Sequence, residues 1–438
     1  MIKIHEHYNS SIELEEFRVD LDLKERITYH SRFVDKQRDK ALCYKLYIDD
    51  DRIECESSYF VGVDWVIPRE LAIYVEPKQN RTGSEVNYLE MLRVALTDTE
   101  NANHLKHLVH IDFDQPYIEL DCKQDKLTPF LIAYFLQLLH QIIRKGLKKS
   151  YYTVEENLKS KIKGKICVYK NFKHNILRKR YSTMYCKFQE YGVNSDENKI
   201  LKLAMNYCRT ILLNGRYRDA FDTKPLLQLL NRIRPAFANV STDIDINKVK
   251  VFKTNPFFAE YKEAIQLALL ILKRFSYNIN QSSQQKVQTP PFWIDMSKLF
   301  ELYVFSKIKQ VFPKQKELFY HKKVWYQELD YLINSKSSNI VMVVEAKYKP
   351  HYKETSINID DARQLSGYAR LTKVYEELDL LDNTHKNIDC LIIYPNQTSN
   401  SSFKLEDFKV DQIKDSSNLQ LIKPYVHFYK LGIRIPEL

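Results

Sequence analysis

The sequence has few glycines and no closely paired cysteines, and each absence excludes a class of site. Only 8 of the 438 residues are glycine, and none lies in a GxxxxGK(S/T) phosphate-binding loop. The chain is therefore not itself a P-loop motor. The seven cysteines are scattered and never spaced as CxxC. This spacing argues against a disulfide scaffold or a zinc site and fits a reducing compartment.

A long apolar run is also absent. The most apolar stretch, Leu127–Ile143, is interrupted by Gln137, His140 and Gln141. A membrane span needs about 20 apolar residues, so a buried helix explains this stretch better. The N-terminal segment MIKIHEHYNSSIELEEF has no basic patch followed by an apolar stretch, which is the pattern of a signal peptide. We therefore expect a cytoplasmic protein without membrane contact.

Positive charge is in excess and is concentrated in one segment. The net charge is +11, and thirteen basic residues lie between Arg144 and Arg180, opposed only by Glu155 and Glu156. Such a cluster fits the DNA backbone, although a solvated lysine-rich surface has the same composition. The residues that we expect to contact DNA are Lys161, Lys163, Lys165, Lys173, Arg178, Lys179 and Arg180.

Apolar patterning predicts three regions of a multidomain α+β protein. Residues 1–125 contain short alternating runs such as YKLYI and ELAIYVE, which predict a β-rich domain with a binding or docking role. Residues 126–278 have apolar positions at helical spacing, which predicts a mainly helical, basic domain. The polar segment Asn278–Thr289 is a candidate linker. From residue 290 to 438, helices and strands alternate, which predicts a mixed α/β domain.

The last region carries a group of residues suited to metal-dependent chemistry. Asp330 lies in the strand-like YQELDYLI, and IVMVVEAKYK places Glu345 and Lys347 at the end of an apolar strand. Side chains two residues apart project to the same side of a strand. If the two strands are neighbours, Asp330 and Glu345 meet at one end of the sheet. Two carboxylates suit Mg²⁺, which polarises a phosphate and acidifies a bound water.

Three further residues could complete this group. Glu301 in SKLFELYV could supply a third carboxylate, directly or through water, and Gln364 and Tyr368 share one helical face. Each feature has an ordinary alternative: ExK can be a salt bridge at a strand end, and Gln364 and Tyr368 can cap or pack. Glu328 could replace Asp330, because both lie on the same strand face. The combined order of the four segments is more specific than any one of them.

This order resembles the PD-(D/E)xK nuclease superfamily and, more narrowly, the McrC family, the nuclease subunits of McrBC-type restriction systems that attack modified DNA. The C-terminal third carries FWIDMSKLFELYV, ELDYLI, VVEAKYK and QLSGYA in the family's order. The middle carries IRKGLKKSYYTVEENLKSKIKGKI and YCKFQEYGVNSDENKILKLA. The N-terminal region resembles the family only in general character. Leu329 replaces the superfamily's proline, and Glu345 stands where some relatives have Asp; both are tolerated variants.

The resemblance implies roles for the candidate residues. Asp330, Glu345 and Glu301 would bind the metal ion, and Lys347 would be the catalytic lysine. Gln364 and Tyr368, which match the family's QxxxYA helix, would belong to the catalytic site with them. It implies a DNA endonuclease subunit of a modification-dependent (type IV) restriction complex, active in antiviral defence with Mg²⁺, for which Mn²⁺ can substitute. The implied substrate is double-stranded, modified DNA.

The resemblance also implies a partner. McrC proteins act with a hexameric AAA+ GTPase of the McrB type, to which residues 1–125 would dock. The basic run 144–180 could then contact an acidic face of the ring in place of DNA. The alternative function is a non-catalytic adaptor that activates the ring and keeps only a nuclease fold. A stand-alone DNA-binding protein is disfavoured, because no helix-turn-helix or zinc pattern is visible.

Overall fold

The computed structural model describes residues 1–7, 9–13, 29–35, 40–49, 52–77, 86–95, 108–112, 114–121, 125–214, 223–245, 259–278, 286–324, 327–349, 357–397, 399, 403–410 and 418–437. The chain forms two compact units. One contains Met1–Leu120 and Gln288–Leu438, and the other contains Asp121–Val287. The mixture of sheets and helices confirms the α+β class that the sequence predicts.

The strands, in chain order, are β1 (Ile2–His5), β2 (Asn9–Glu13), β3 (Tyr29–Asp35), β4 (Lys40–Asp49), β5 (Arg52–Ser57), β6 (Phe60–Ile67), β7 (Leu71–Glu76), β8 (Val109–Ile111), β9 (Ile118–Asp121), β10 (Ser150–Lys159), β11 (Lys165–Ile166), β12 (Thr183–Gly192), β13 (Lys286–Thr289), β14 (Phe292–Asp295), β15 (Leu318–Val324), β16 (Gln327–Ser335), β17 (Ile340–Ala346), β18 (Asp389–Pro395), β19 (Leu419–Leu421) and β20 (Phe428–Ile433).

The α-helices are α1 (Tyr88–Ala95), α2 (Leu127–Lys145), α3 (Val168–Asn171), α4 (Asp196–Leu213), α5 (Lys224–Ile233), α6 (Ala259–Asn278), α7 (Met296–Val311), α8 (Ile359–Tyr368) and α9 (Thr372–Glu377). A short π-helix covers Phe172–Ile176, and 3₁₀ turns cover Arg234–Phe237, Leu381–Asn383 and Leu405–Phe408. Asp360–Leu381, which the sequence predicts as one helix, is thus two helices, because the backbone of Leu371 is extended between them.

Two sheets in the first unit enclose an apolar core. β2, β5, β4 and β3 form one sheet in that order, and β1, β7, β6, β14 and β8 form the other. Alternating side chains such as Ile53 and Cys55 of β5 point into this core, which Tyr44 and Trp293 help to fill. Trp293 also donates from Nε1 to Asp64 Oδ2 at 3.3 Å.

The strand β14 joins residues that the sequence analysis assigns to different regions. It lies between β6 and β8, antiparallel to both, although residues 290–438 were expected to form a domain of their own. All four residues of β14 are buried, so the strand needs partners on both sides. Of the candidate linker Asn278–Thr289, residues 279–285 lie outside the described part of the chain, and Lys286–Thr289 is β13, which pairs with β9.

The second unit combines a buried helical core with a long β-hairpin. α2 packs against α5 and α6, and α4 packs against α6. β10 and β12 pair from Ser150↔Gly192 to Lys159↔Thr183. This hairpin differs from the mainly helical region that the apolar pattern of residues 126–278 predicts. β10 buries only Leu158, so it lacks the alternation of buried side chains by which a strand is recognised.

Helix α2 is long and apolar enough to cross a membrane by length and composition. Most of it is buried inside the unit, including Phe130, Phe135 and Leu139, whereas a lipid-facing helix would leave such side chains on the outside. A core helix explains these observations, as the interruptions in its apolar sequence predict.

The C-terminal part of the first unit is a six-stranded sheet. Its order is β15-β16-β17-β18-β20-β19, and β17, β18 and β20 run parallel. The apolar run Val341–Val344 forms most of β17, as expected for a central strand. α8 and α9 lie between β17 and β18 in the chain, and Leu365 and Tyr368 of α8 pack on one face of the sheet with Val343 and Ile392. α7 precedes the sheet and packs against α1.

Candidate active site

Strand pairing brings two of the candidate carboxylates to one end of the C-terminal sheet. β16 and β17 are antiparallel, and the pair Tyr331↔Val344 makes Asp330 and Glu345 the next residues in register. Residues in register project from the same face of the sheet. The backbone N–H of Ala346 donates to Asp330 Oδ2 at 2.9 Å, which holds this carboxylate at the end of β17.

The two carboxyl groups share an environment that disfavours negative charge. Burial raises the pKa of Asp330 well above its ordinary value, and the nearby charges of Glu345 and Glu301 raise it further. Burial also raises the pKa of Glu345, against the opposing effect of Lys347. Glu345 is 5% exposed, and among the described residues its Oε2 has no hydrogen-bond partner. Among the described residues, this buried carboxylate oxygen is thus left without a hydrogen bond that would offset its negative charge.

Lys347 is held by three side chains from two elements. Its Nζ donates to Glu345 Oε1 at 2.8 Å and to Gln364 Oε1 at 3.1 Å, and it lies 3.7 Å from Asp361 Oδ1. Burial would lower the pKa of Lys347, but Glu345 and Asp361 outweigh this effect and raise it. The amine therefore stays charged in a fixed position beside the carboxylates.

The helix α8 contributes the other two candidate residues on that side. Gln364 donates from Nε2 to the hydroxyl of Tyr368 at 2.7 Å, while its Oε1 accepts from Lys347. Residues 364 and 368 are one helical turn apart and so share a face, as the sequence predicts. Tyr368 is mostly buried in the apolar core under α8. Its hydroxyl thus fixes the amide of Gln364 against Lys347.

Glu301 reaches the same end of the sheet from α7, but its carboxylate has a separate partner. Its Oε1 lies 2.6 Å from His321 Nε2, and the other ring nitrogen of His321 lies 2.6 Å from Glu328 Oε1. His321 lowers the pKa of Glu301 although burial opposes this. Glu328, the alternative to Asp330, thus faces His321, and Asp330 is the residue of β16 beside Glu345.

Within the described part of the chain, no three His, Cys, Asp or Glu side chains lie close enough to form a ready-made metal site. Asp330 and Glu345 still fit Mg²⁺, which binds through one or two carboxylates and keeps several waters. The unpartnered Glu345 Oε2 and the raised pKa of Asp330 both indicate a position where a cation relieves repulsion. The donor set is all oxygen, as a hard cation requires.

A known protein family matches more than half of the chain. The family described as McrBC 5-methylcytosine restriction system component matches residues 66–381. The chain belongs to this family. The McrC resemblance of the sequence is confirmed at the level of the family. The matched region includes all six candidate site residues.

Two solved structures resemble this McrBC-family chain. A half-complex from a tetradecameric assembly of Thermococcus gammatolerans McrB AAA+ hexamers with bound McrC has 12% sequence identity and a TM-score of 0.41. That alignment covers 99% of this chain and 94% of the other chain. The Thermococcus gammatolerans McrBC complex has 13% identity and a TM-score of 0.29, with 72% and 89% covered. No curated protein matched the chain.

The cations that were predicted to contact DNA lie in the second unit of this McrBC-family chain, between β10 and β12. All seven are exposed. Lys163 is paired with Glu190 at 2.7 Å, whereas in the part of the chain that the structure describes the other six form no ion pair. The same segment exposes apolar side chains, among them Val168 and Tyr169 at 76% and Leu177 at 64%. The surface is thus both basic and apolar.

Two neighbours of the candidate residues were missed by the sequence analysis. Asp361 is buried and contacts Lys347 and Lys349, and its spacing of three from Gln364 could have indicated a shared helical face. His321 could not have been found in this way. Its contact with Glu301 depends on how β15 approaches α7, and no local pattern encodes that approach.

Proposed function

We propose that this chain is the Mg²⁺-dependent endonuclease subunit of a modification-dependent, type IV restriction complex. The observation that carries the proposal is the convergence of Asp330, Glu345 and Lys347 at one end of a sheet, with a buried carboxylate oxygen left unpaired. Membership of a 5-methylcytosine restriction family supports it. We further propose that residues 290–438 have the PD-(D/E)xK arrangement and that the reaction takes place in the cytoplasm.

Asp330 and Glu345 would hold the metal ion, with Glu301 as a third ligand directly or through water. A bound Mg²⁺ supplies polarisation of the scissile phosphate and a more acidic water. Mn²⁺ fits the same oxygen donors. The backbone N–H of Ala346 keeps Asp330 in place, and Lys347 restrains Glu345, so the chain presents both carboxylates in a defined orientation.

Lys347 would act on the phosphate or on the attacking water. Its charge lies beside the proposed metal ligands, where negative charge develops during phosphodiester hydrolysis. Gln364 and Asp361 restrain the amine, and Tyr368 restrains Gln364. These contacts limit the reorganisation that the amine would otherwise undergo when the transition state forms.

We propose that the partner is a hexameric AAA+ GTPase of the McrB type. The similar solved structures contain McrB AAA+ hexamers with McrC bound. In this scheme residues 1–125 dock to the ring, residues 126–278 supply the basic surface, and the ring recognises the modified base. A non-catalytic adaptor is the competing function. The retention of Asp330, Glu345 and Lys347 in one cluster disfavours it, because an adaptor has no need for buried carboxylates that repel each other.

Cleavage by the reconstituted complex tests the proposal. Purified chain, the AAA+ partner and GTP would be incubated with a 5-methylcytosine plasmid and with the same plasmid unmethylated. We expect Mg²⁺-dependent cuts in the modified plasmid, none in the presence of EDTA, and cleavage again with Mn²⁺. If the complex hydrolyses GTP normally but never cuts either plasmid, the adaptor function is the better explanation.

We also propose that the exposed cations of the hairpin contact the DNA backbone. Each phosphate that is neutralised changes the slope of log affinity against log salt by about 0.9. Replacing Arg178 and Arg180 by alanine should therefore reduce the slope by about 1.8. A matched pair, Lys314→Ala with Lys316→Ala, removes two exposed lysines of the other unit and should leave the slope unchanged. Fluorescence anisotropy with duplex DNA between 50 and 200 mM salt measures both.

The apolar side chains of this hairpin favour a second candidate, which is a protein surface of the ring. Val168, Tyr169 and Leu177 are too exposed to serve the hairpin core, and clustered apolar side chains on a surface mark protein interfaces. If the ring is the partner, Val168→Ser with Tyr169→Ser should weaken GTPase stimulation and leave DNA affinity intact. If DNA is the partner, replacing Arg178 and Arg180 by alanine should weaken DNA binding more than the two serine substitutions do.

A further inference from the structure

A histidine outside the predicted set is held in an unusual way beside the site. His321 lies in β15 between the pairs Tyr320↔Tyr331 and Lys322↔Leu329. Its φ is 49°, in the left-handed region that residues other than glycine rarely adopt. The strand register is unchanged around it, so no inserted residue explains the strain. Strained residues of this kind persist where surrounding contacts hold them, and they cluster at functional sites.

The contacts that hold His321 are two carboxylates from different elements. Nε2 lies 2.6 Å from Glu301 of α7, and Nδ1 lies 2.6 Å from Glu328 of β16. A carboxylate accepts hydrogen bonds, so both ring nitrogens donate, and the ring has one orientation available. On its own strand, Tyr320 packs edge-on against the ring with centroids 4.3 Å apart. The imidazole is thus fixed on three sides.

We propose that His321 is a positioning residue that orients Glu301 as the third carboxylate of the metal site. Glu301 lies on a helix, and a long side chain there has several rotamers. The hydroxyl of Tyr331, which follows Asp330 in β16, donates to the backbone carbonyl of Glu301 at 2.6 Å. The charge of Glu301 also contributes to the raised pKa of Asp330, so Glu301 lies close to the pair Asp330 and Glu345. The hydrogen bond from Nε2 occupies Oε1, and Tyr320 lies beside the same carboxylate, so in this scheme His321 and Tyr320 together would turn Glu301 towards the cation or its water. This inference rests on the proposed metal-dependent function and names a residue that supports it.

The arrangement matches what is expected of a partner that orients a metal ligand. Residues that hold ligands by hydrogen bonds limit their motion, and removing them typically costs about 10- to 100-fold in metal affinity. Glu328 has no role at the metal in this scheme. It anchors the far side of the ring, which gives the second carboxylate of β16 a role other than metal binding.

Two substitutions separate the two hydrogen bonds. The amide of His321→Asn lies near the position of Nδ1 and keeps a donor for Glu328, and asparagine tolerates a left-handed backbone. The longer His321→Gln keeps a donor near Nε2 for Glu301. Mn²⁺ affinity of the full chain without DNA, measured calorimetrically, should fall about tenfold or more in His321→Asn and less in His321→Gln. The Mg²⁺ concentration for half-maximal cleavage by the complex should rise in parallel.

His427→Asn is the matched control. His427 also has a positive φ, 55°, and contacts a carboxylate, Asp389, at 2.9 Å, but Asp389 begins β18 and lies away from the carboxylate pair. This variant should bind Mn²⁺ as the unsubstituted chain does. In a Glu301→Gln background, His321→Asn should have no further effect on Mn²⁺ affinity, because the histidine acts through Glu301.

The outcomes distinguish this inference from the proposed function. If His321→Asn binds Mn²⁺ within twofold of the unsubstituted chain while Asp330→Asn loses binding, the metal site stands and the positioning role is wrong. If Asp330→Asn and Glu345→Gln also bind normally, the metal site itself is wrong. An effect of His321→Asn that persists undiminished in Glu301→Gln would show a general structural role and would overturn the inference as well.

Discussion

Lys347→Ala is expected to lower DNA cleavage by the reconstituted complex about 10²- to 10³-fold, the range for losing one electrostatic contact to a transition state. Mn²⁺ binding should survive, because the amine restrains Glu345 without being a ligand. Asp330→Asn should abolish cleavage and Mn²⁺ binding together. Plasmid cleavage and calorimetry on the same samples separate the two effects. Lys349→Ala is the matched control, since Lys349 pairs with Asp361 and is more exposed.

Stability without metal gives an independent check on this first prediction. The pKa of Asp330 is raised by burial and by Glu345, so its charged form destabilises the fold at neutral pH. In EDTA, Asp330→Asn should therefore raise the free energy of unfolding by about 1–2 kcal/mol. Because a raised carboxyl pKa means that the folded state binds more protons, the unsubstituted chain should lose stability as pH rises from the ordinary pKa of aspartate up through the raised pKa of Asp330. The Asp330→Asn variant should lose less stability over the same pH range.

Two other outcomes would show which residue assignment is wrong. If Asp330→Asn cuts DNA at the normal rate, the site assignment is wrong whatever its effect on stability. If Lys347→Ala and Lys349→Ala are equally impaired, the acidic side chain of Asp361 that both contact is the functional group, and neither lysine acts on the phosphate.

The carboxylate pair and the lysine could be predicted because their geometry is local. The apolar run Val341–Val344 identifies a central strand, and the two-residue repeat of a strand places Glu345 and Lys347 on one side. Asp330 lies in the strand that precedes this one in the chain, and strands that are adjacent in sequence commonly pair. The positions of these three residues follow without any contact between segments that are distant in sequence.

The features that could not be predicted from the sequence depend on contacts between distant residues or on weak local patterns. β14 pairs with β6, more than two hundred residues earlier, and three apolar residues in a row do not indicate which sheet they join. β10 fully buries only Leu158, so hydrophobic alternation fails to mark it. The orientation of His321 requires a left-handed backbone in a strand, which no propensity predicts.

The position of β14 beside β6 predicts that a substitution at Gly62 lowers the stability of the fold. A Cβ added at Gly62 of β6 would lie 1.9 Å from the carbonyl oxygen of Phe292 and 2.9 Å from its carbonyl carbon. Both are backbone atoms, so β14 itself must move. Gly62→Ala should therefore cost about 3 kcal/mol or more and lower the melting temperature by roughly 3–5 °C.

Gly367→Ala provides the matched control for Gly62→Ala. Gly367 lies in α8, and a Cβ there meets nothing within 4 Å, so alanine should stabilise the helix by about 0.5–1 kcal/mol. Thermal unfolding monitored by circular dichroism measures both variants. Because β14 leads directly into α7, whose N-cap is Asp295, displacement of β14 should also misplace Glu301 and weaken Mn²⁺ binding. A Gly62→Ala chain with normal melting and normal Mn²⁺ binding would mean that β6 does not pair with β14. The N-terminal strands would then be separable from the carboxylate site.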